Sequence, residues 1–506
     1  MAYLIGIDLG TSGTKTVIFD EAGTPVASKT VEYPLYQLKN GWAEQDPEDW
    51  WNAAKEGLSH CAAAVGGKDI AGIGISGQMH GLVMLDKGGN VLRRSIIWCD
   101  QRTQKECDEI NAKLGAQKVI DITANPALTG FTASKILWVR NNEPEIYEKC
   151  AHILLPKDYV RYRLTGEFAT EVSDASGMQL LDVRNRRWSD EVLSVLGIDK
   201  GLLASMHESY EVTGKLSASI APLTGVAAGT PVVGGAGDNF AAAIGTGVVR
   251  TGRAFTTLGT SGVVFAHADE VSIDKGGRIH TFCSAVPGKW CVMSCTQSAG
   301  LSLRWFRDNF CYEEIAAAKE LGVDPYDVMT EEAKQIPIGS DKLYFLPYLM
   351  GERSPHLDPD ARGVFFGLSG MHTRSHMIRS VMEGVAYSQL DCVNVFRDMG
   401  VKIDSMMACG GGGRSPLWRA MLADLYGCDV TTLKADEGPA LGVAILAGVG
   451  TGVYSSVEEA CDNVVKTGLS IAPDAKSAAE YKKHYAMFHS LYPALKASYK
   501  KLGEME

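Results

Sequence analysis

The most constraining feature of this sequence is a five-residue segment, LGTSG, that occurs at 9–13 and again at 258–262. In both places an apolar, β-branched run precedes the segment and another follows it, which predicts two strands joined by a tight glycine turn. The repeat therefore predicts a chain built from two similar halves, each opening with a β-hairpin. Two unrelated glycine turns are the alternative, because five residues can recur by chance.

The length of 506 residues exceeds what one hydrophobic core usually supports. We therefore expect an N-terminal domain over 1–248, a C-terminal domain over 249–453, and a helical tail over 454–506 that packs on the second domain. Strand-like and helical segments alternate along both halves. This order predicts an α/β fold in which helices flank mixed sheets.

The composition narrows the range of partners. The formal net charge of −11 argues against nucleic acid or an anionic membrane as the main partner, and no apolar run is long enough to span a bilayer. The 12 cysteines include no C-x-x-C pair and no signal peptide precedes the first strand, so we expect a cytoplasmic protein with reduced thiols. A small anionic ligand held by backbone N–H groups stays compatible with this charge.

One glycine pattern suggests a different class of protein. Gly72, Gly74 and Gly77 match the G-x-G-x-x-G fingerprint of dinucleotide-binding enzymes, and Asp100 follows about 20 residues later. That fingerprint needs its last glycine to begin a helix, whereas the sequence predicts a strand over 78–86. A dehydrogenase is therefore disfavoured. A P-loop is absent too, because the lysine of the first hairpin does not follow a glycine.

The first hairpin combines a carboxylate with a hydroxyl-rich turn. Asp8 lies at the end of the first strand, Thr11 and Ser12 lie in the turn, and Lys15 lies in the second strand. A strand-end carboxylate can hold Mg²⁺, and turn N–H groups, hydroxyls and an ammonium can hold phosphate oxygens. An ordinary hairpin with a capped turn is the alternative.

The second turn and two further glycine segments extend this phosphate hypothesis. Thr260 and Ser261 have no carboxylate or lysine beside them, so we predict that the two turns hold opposite ends of one polyphosphate, with metal on one side. The glycines at 410–413 precede a helix signalled by Ser415 and a proline, and they leave room for a base or phosphate. Asp238 follows a glycine-rich strand end, where it is positioned either for chemistry in a cleft or for a local turn.

Two longer segments carry a resemblance to a known family. Residues 130–142, GFTASKILWVRNN, match one signature pattern, and 363–368, GVFFGL, with 377–383, MIRSVME, match another. On these segments the chain resembles the FGGY carbohydrate kinases of the actin-like ATPase superfamily, from residue 5 to about residue 450. The resemblance implies two ribonuclease H-like domains with ATP and a sugar in the cleft between them.

Five shorter segments are similar to those of family members that act on xylulose. They are GWAEQDP at 41–47, GQMHG at 77–81, IWCDQR at 97–102, LPKDY at 155–159 and GERSPH at 351–356. These segments imply ATP-dependent phosphorylation of D-xylulose at its C5 hydroxyl, which gives D-xylulose 5-phosphate.

The resemblance also implies a role for each candidate residue. Asp238 would be the general base that takes the proton of the C5 hydroxyl, and Asp8 would organise Mg²⁺. For His80, a buried imidazole satisfied by the backbone is the alternative role. The residues implied to contact the ketose are Met79, His80, Asp238 and Asn239; those implied to handle phosphates are Thr11, Ser12, Lys15, Thr260 and Ser261; and those implied at the adenosine end are Gly411, Gly412 and Ser415.

The sequence is also compatible with other functions. A sister kinase that acts on ribulose, gluconate or glycerol could differ by one pocket residue. An actin-like ATPase that works as a chaperone or filament would need a further domain, and about 50 residues after position 450 are too few for one. A silent sugar sensor is disfavoured because Asp8, Lys15 and Asp238 are all present. The resemblance further implies a possible homodimer.

Overall fold

The structure, a computed structural model, describes residues 2–67, 69–434 and 438–505. None of the helices within these ranges is both long enough and apolar enough to cross a membrane. The strands are β1 (Tyr3–Leu9), β2 (Gly13–Phe19), β3 (Pro25–Glu32), β4 (Glu44–Gln45), β5 (Ile70–Gly77), β6 (Val83–Leu85), β7 (Ser95–Ile96), β8 (His152–Leu154), β9 (Ala169–Glu171), β10 (Leu181–Asp182), β11 (Arg187–Trp188), β12 (Ser205–His207), β13 (Val212–Lys215), β14 (Pro231–Val233), β15 (Ala236–Gly237), β16 (Gly252–Leu258), β17 (Gly262–Ala268), β18 (His280–Cys283), β19 (Trp290–Thr296), β20 (Tyr344–Leu346), β21 (Val364–Phe366), β22 (Ile403–Cys409), β23 (Asp429–Leu433) and β24 (Thr467–Ile471). The α-helices are α1 (Pro47–Val65), α2 (Gln104–Leu114), α3 (Ala116–Thr123), α4 (Thr132–Asn142), α5 (Pro144–Lys149), α6 (Pro156–Thr165), α7 (Val172–Ala175), α8 (Asp190–Leu196), α9 (Ala221–Thr224), α10 (Asp238–Gly245), α11 (Gly300–Phe310), α12 (Tyr312–Leu321), α13 (Pro325–Lys334), α14 (Arg374–Asp398), α15 (Pro416–Tyr426), α16 (Gly438–Gly450), α17 (Val457–Val464) and α18 (Ala475–Gly503).

The first half of the chain forms a seven-stranded mixed sheet. Its order is β13-β14-β5-β1-β2-β3, and β15 pairs with the end of β5. Strand β2 is antiparallel to both β1 and β3, whereas β5 runs parallel to β1 and β14 runs parallel to β5. The edge strand β13 is antiparallel to β14.

The second half repeats this strand pattern. Its sheet has the order β18-β19-β17-β16-β22-β23-β24. The antiparallel strands β19, β17 and β16 continue into the parallel strands β22 and β23, and β24 closes the edge in the antiparallel direction. Each LGTSG segment lies at the same place in its sheet, between β1 and β2 or between β16 and β17. The predicted duplication is therefore confirmed, and the alternative of two unrelated turns is wrong.

Two helices that carry small residues lie between the halves. In α16, a Cβ added to Gly442 would lie 1.9 Å from the carbonyl oxygen of Ala241 in α10. That helix also packs on the first sheet, where a Cβ on Gly6 would lie 1.9 Å from the carbonyl oxygen of Ala440. Only glycine allows backbones to approach this closely. Residues 438–450 therefore join the core of the first half although they come late in the chain.

The sequence predicts a helical segment after residue 453. The structure shows that this segment is not wholly helical. It includes β24, which pairs with β23 at the edge of the second sheet. Helix α17 contacts the first half, where the thiol of Cys461 donates to the carbonyl of Ile244 at 3.3 Å. Helix α18 packs on the second half, where Tyr481 accepts a hydrogen bond from Arg379 at 2.8 Å. The sequence did not predict β24 because its residues are mostly exposed and show no apolar alternation.

Candidate active site

Three strands of the first sheet end at one edge, and the main candidate residues lie there. Asp8 at the end of β1 is level with Ser76 in β5, and Ala236 in β15 is level with the same serine. Because these three strands are parallel, the residues that follow them share that edge, which is where α/β proteins bind ligands. The structure thus brings together Asp8, the segment 78–80 and Asp238.

The carboxyl group of Asp8 is unusual for a strand residue. Its Oδ1 atom is buried and has no hydrogen-bond partner among the described residues. Burial raises the pKa of Asp8 to about 6, although the charge of Lys15 opposes this shift. A buried carboxylate oxygen without a partner is costly unless a cation or donor satisfies it. These properties suit a ligand of Mg²⁺ bound together with phosphate, since Mg²⁺ needs only one or two carboxylates there.

Asp238 is the first residue of α10 and follows β15 at the same sheet edge. Its Oδ1 atom accepts hydrogen bonds from the backbone N–H of Asn239 at 2.7 Å and from the side-chain amide of Asn239 at 3.0 Å. Burial and the negative charge of Asp8 raise the pKa of Asp238 to about 7. A carboxyl group with this pKa is suited to accept a proton near neutral pH.

The segment after β5 is a turn where the sequence had predicted a continuous strand over 78–86. His80 has a φ of 69°, and regular strand structure resumes only at β6. A left-handed conformation is costly for a residue with a side chain, so it persists only where the surroundings fix it. Here Lys135 and Thr132 both donate to the carbonyl of His80, at 2.9 and 3.1 Å. Gly77 is followed by this turn and then by β6 instead of a helix, so the dinucleotide fingerprint remains excluded.

The ring of His80 is held in one orientation. Its Nδ1 atom lies 2.9 Å from the carbonyl oxygen of Gly177, which can only accept, so Nδ1 carries the hydrogen. Burial lowers the pKa of His80 well below its usual range. The neutral ring therefore presents Nε2 as a hydrogen-bond acceptor. Met79 lies beside it, with its sulfur 3.9 Å from the side-chain amide of Asn239.

The first LGTSG turn is supported by Gln45 and Trp98, which lie in the segments 41–47 and 97–102 and to which the sequence assigns no individual role. The indole N–H of Trp98 donates to Oγ1 of Thr11 at 2.9 Å, and Gln45 donates to the carbonyl of Thr11 at 2.6 Å. Trp98 is 39% exposed. Lys15 lies in the register position opposite Asp8. Ser12 is exposed at the tip of the turn.

A cavity of about 700 Å³ lies beside the second turn. Of the predicted nucleotide residues, Thr260, Gly411, Gly412 and Ser415 line it, whereas Ser261 and the residues of the first turn do not. The hydroxyl of Ser415 accepts the backbone N–H of Trp418 at 3.3 Å and caps α15, as predicted. No motif in the sequence pointed to the other polar side chains of this cavity, which come from separate elements. They include Arg304, Tyr326, Asp327, Lys334 and Arg414.

The comparisons with known proteins identify the family. The N-terminal domain of the FGGY family of carbohydrate kinases matches residues 3–245, and its C-terminal domain matches residues 254–451. The chain therefore belongs to the FGGY family of carbohydrate kinases. Among its relatives, the xylulose kinase of Escherichia coli (strain K12) is 40% identical over 493 residues, which are 97% of this chain and 99% of the relative.

Two solved structures from Lactobacillus acidophilus share the architecture. A ligand-bound xylulose kinase has a TM-score of 0.92 and 29% identity, and the match covers 99% of this chain and 100% of that one. A gluconate kinase has the same TM-score and identity, with 99% of both chains covered. The predicted α/β fold with two ribonuclease H-like, actin-like domains is confirmed. Because the two neighbours are named for different sugars, the fold alone does not select the acceptor.

Proposed function

We propose that this chain transfers the γ-phosphoryl group of ATP to the C5 hydroxyl of D-xylulose, giving D-xylulose 5-phosphate. The observation that carries the proposal is the position of Asp238, a carboxyl with a pKa of about 7 at the edge where Asp8 also lies. The relatives named xylulose kinase support this acceptor over ribulose, gluconate or glycerol. We also propose that the boundary between the N-terminal and C-terminal domains lies between residues 248 and 249.

Asp238 is proposed as the general base. Both hydrogen bonds from Asn239 go to Oδ1, which leaves Oδ2 to accept a hydrogen bond from a sugar hydroxyl. A hydroxyl is too weak an acid to ionise alone, so the carboxylate orients it and takes its proton as the new P–O bond forms. Met79, His80 and Asn239 are proposed to contact the ketose, with Nε2 of His80 accepting a hydroxyl.

The two LGTSG turns are proposed to hold the triphosphate. Because Trp98 donates to Oγ1 of Thr11, the hydroxyl hydrogen of Thr11 is left to donate to a phosphate oxygen. Backbone N–H groups of both turns add donors. The proposed phosphate residues are Thr11, Ser12, Lys15, Thr260 and Ser261, and the proposed residues at the adenosine end are Gly411, Gly412 and Ser415.

The residues present fit a magnesium ion at one side of this site. Asp8 would hold it, directly or through water, because its buried Oδ1 has no partner among the described residues. When bound, Mg²⁺ neutralises charge on the phosphate oxygens. The same ion would relieve the repulsion between Asp8 and Asp238 that raises the pKa of Asp238.

An ADP-release assay with D-xylulose, ribulose, gluconate and glycerol tests the acceptor, and Asp238→Ala tests the base. We expect D-xylulose to give the highest kcat/KM. The variant should lose about 10²- to 10⁴-fold in kcat while sugar binding is largely kept. Asp190→Ala is the matched control, since Asp190, like Asp238, is the first residue of a helix but is exposed and lies on α8. Near-normal turnover of Asp238→Ala would contradict the role of Asp238 as general base. A higher kcat/KM with another acceptor would contradict D-xylulose as the substrate.

A further inference from the structure

The loop between β20 and β21 directs one side chain of the second half toward the first. We propose that this residue, Arg353, is a substrate-binding residue that donates hydrogen bonds to the sugar. The inference rests on the proposed sugar-kinase function and deepens it. It places one sugar contact on the half of the chain that also forms the nucleotide cavity.

The backbone at Arg353 is tied to the second sheet. The buried carboxylate of Glu352 accepts the backbone N–H groups of Gln297 and Arg353, both at 2.8 Å. Ser354 donates its backbone N–H to the carbonyl of Cys295 at 3.2 Å. Both Cys295 and Gln297 lie at the end of β19, which pairs with the strand that follows the second LGTSG turn. Arg353 is therefore fixed relative to that turn.

The side chain of Arg353 reaches Gly130, whose neighbour Phe131 packs against the ring of His80. Its Nη2 atom is 3.3 Å from where a Cβ on Gly130 would lie. Gly130 is not among the positive-φ glycines, and an added Cβ there would also lie 3.0 Å from the carbonyl oxygen of Trp98, so the absence of a side chain lets both groups approach. The next residue, Phe131, packs edge-on against the His80 ring with centroids 4.6 Å apart. The guanidinium thus lies at the pocket in which the ketose is proposed to bind.

The chemistry of Arg353 points to a ligand rich in oxygen acceptors. Within residues 2–67, 69–434 and 438–505, no carboxylate comes within ion-pair distance of its guanidinium, which is half-buried. A guanidinium has five N–H donors and no acceptor. Its charge helps to lower the pKa values of His80 and His280, whereas the pKa of Asp238 responds to Asp8. Arg353 therefore suits the carbonyl and hydroxyl oxygens of a ketose.

Arg353→Met tests this assignment, because methionine keeps much of the length of the side chain but has no donor. We expect the KM for D-xylulose to rise about 10- to 100-fold, while the KM for ATP stays within about threefold. Arg353→Lys should recover part of the loss. Calorimetric titration of each folded variant with D-xylulose, without nucleotide, should show the same order of affinities. Arg362→Met on the same loop is the control, since Arg362 is exposed and donates to the loop carbonyls of Pro359 and Ala361.

The outcomes separate this inference from the proposed function. If the wild-type enzyme prefers another acceptor, the D-xylulose proposal fails, and Arg353→Met is assayed with the preferred acceptor. A sugar KM within threefold of wild type would overturn the role of Arg353. An equal rise in both KM values would also overturn it, because it would indicate a general structural effect.

Discussion

At the scale of single residues, the carboxyl of Asp238 connects catalysis with stability. Its pKa is raised to about 7 by burial and by Asp8, so the folded protein keeps a proton that the unfolded chain loses above pH 4. A carboxyl whose pKa is raised by folding stabilises the fold least at high pH, because it must then ionise in its buried position. The property that makes Asp238 a suitable base is therefore destabilising above neutral pH.

Asp238→Asn should be more thermostable than the wild type at alkaline pH. Because the pKa of Asp238 is raised in the folded protein, the contribution of this carboxyl to the stability of the wild type is fully present below the unfolded pKa of 3.8. That contribution is lost as pH rises through about 7. Without ligands, we expect the melting temperatures to differ little at pH 4 and by several degrees at pH 8. Differential scanning fluorimetry measures this difference. Asp190→Asn is the control, because Asp190 is exposed and its contact with Lys200 lowers its pKa. A difference in melting temperature between Asp238→Asn and the wild type that is constant with pH would contradict the raised pKa of Asp238.

The sequence predicted the charged residues of the site better than the residues that contact the site and hold it in place. The strand-end position of Asp8 and the glycine frame before Asp238 are local patterns, and the structure places both residues at the predicted strand ends. The contacts of Lys135 with His80, Trp98 with Thr11, and Arg353 beside Gly130 join residues 55 to 223 positions apart. No spacing rule specifies such contacts, because they depend on how separate elements pack.

At the scale of elements, the strands with apolar runs were predicted well from the sequence. The packing of helices against the sheets was not predicted. The two hairpins follow directly from their β-branched runs and glycine turns. Helix α16 was predicted to belong to the second domain by position alone, yet it packs on β1 and β5 of the first sheet. Its uniformly apolar sequence indicates burial but does not specify the partner. The turn at His80 was missed because a left-handed histidine depends on tertiary hydrogen bonds.

Gly442→Ala tests the packing of α10 against α16. Helix propensity alone would make this substitution stabilising by about 1 kcal/mol. A Cβ at this position would lie 1.9 Å from the carbonyl oxygen of Ala241, so the helices must separate. We expect a net loss of about 1–3 kcal/mol in the free energy of unfolding, measured with urea. Gly370→Ala is the control, because nothing lies within 4 Å of an added Cβ there. A stabilised Gly442→Ala would show that the two helices are not tightly packed.

At the scale of the whole molecule, the two halves hold different parts of the proposed reaction. Asp8, His80 and Asp238 lie at the edge of the first sheet, whereas the cavity of about 700 Å³ is formed by the second half. The duplication of the fold explains why each half offers a glycine turn of the same sequence. Transfer of a phosphoryl group requires the reacting oxygens in line and close together, so we expect the halves to approach when both substrates are bound.

Small-angle X-ray scattering should detect this approach. We expect a smaller radius of gyration with D-xylulose and a non-hydrolysable ATP analogue together than in the free protein, because domain closure excludes water from the cleft. Arg353→Met should shrink less at the same ligand concentrations, since it lacks the proposed contact between the second half and the sugar. Arg362→Met should shrink like the wild type. Identical scattering with and without ligands would mean that the cleft is already closed in the free protein, and the sugar contact of Arg353 would then form without any movement of the halves.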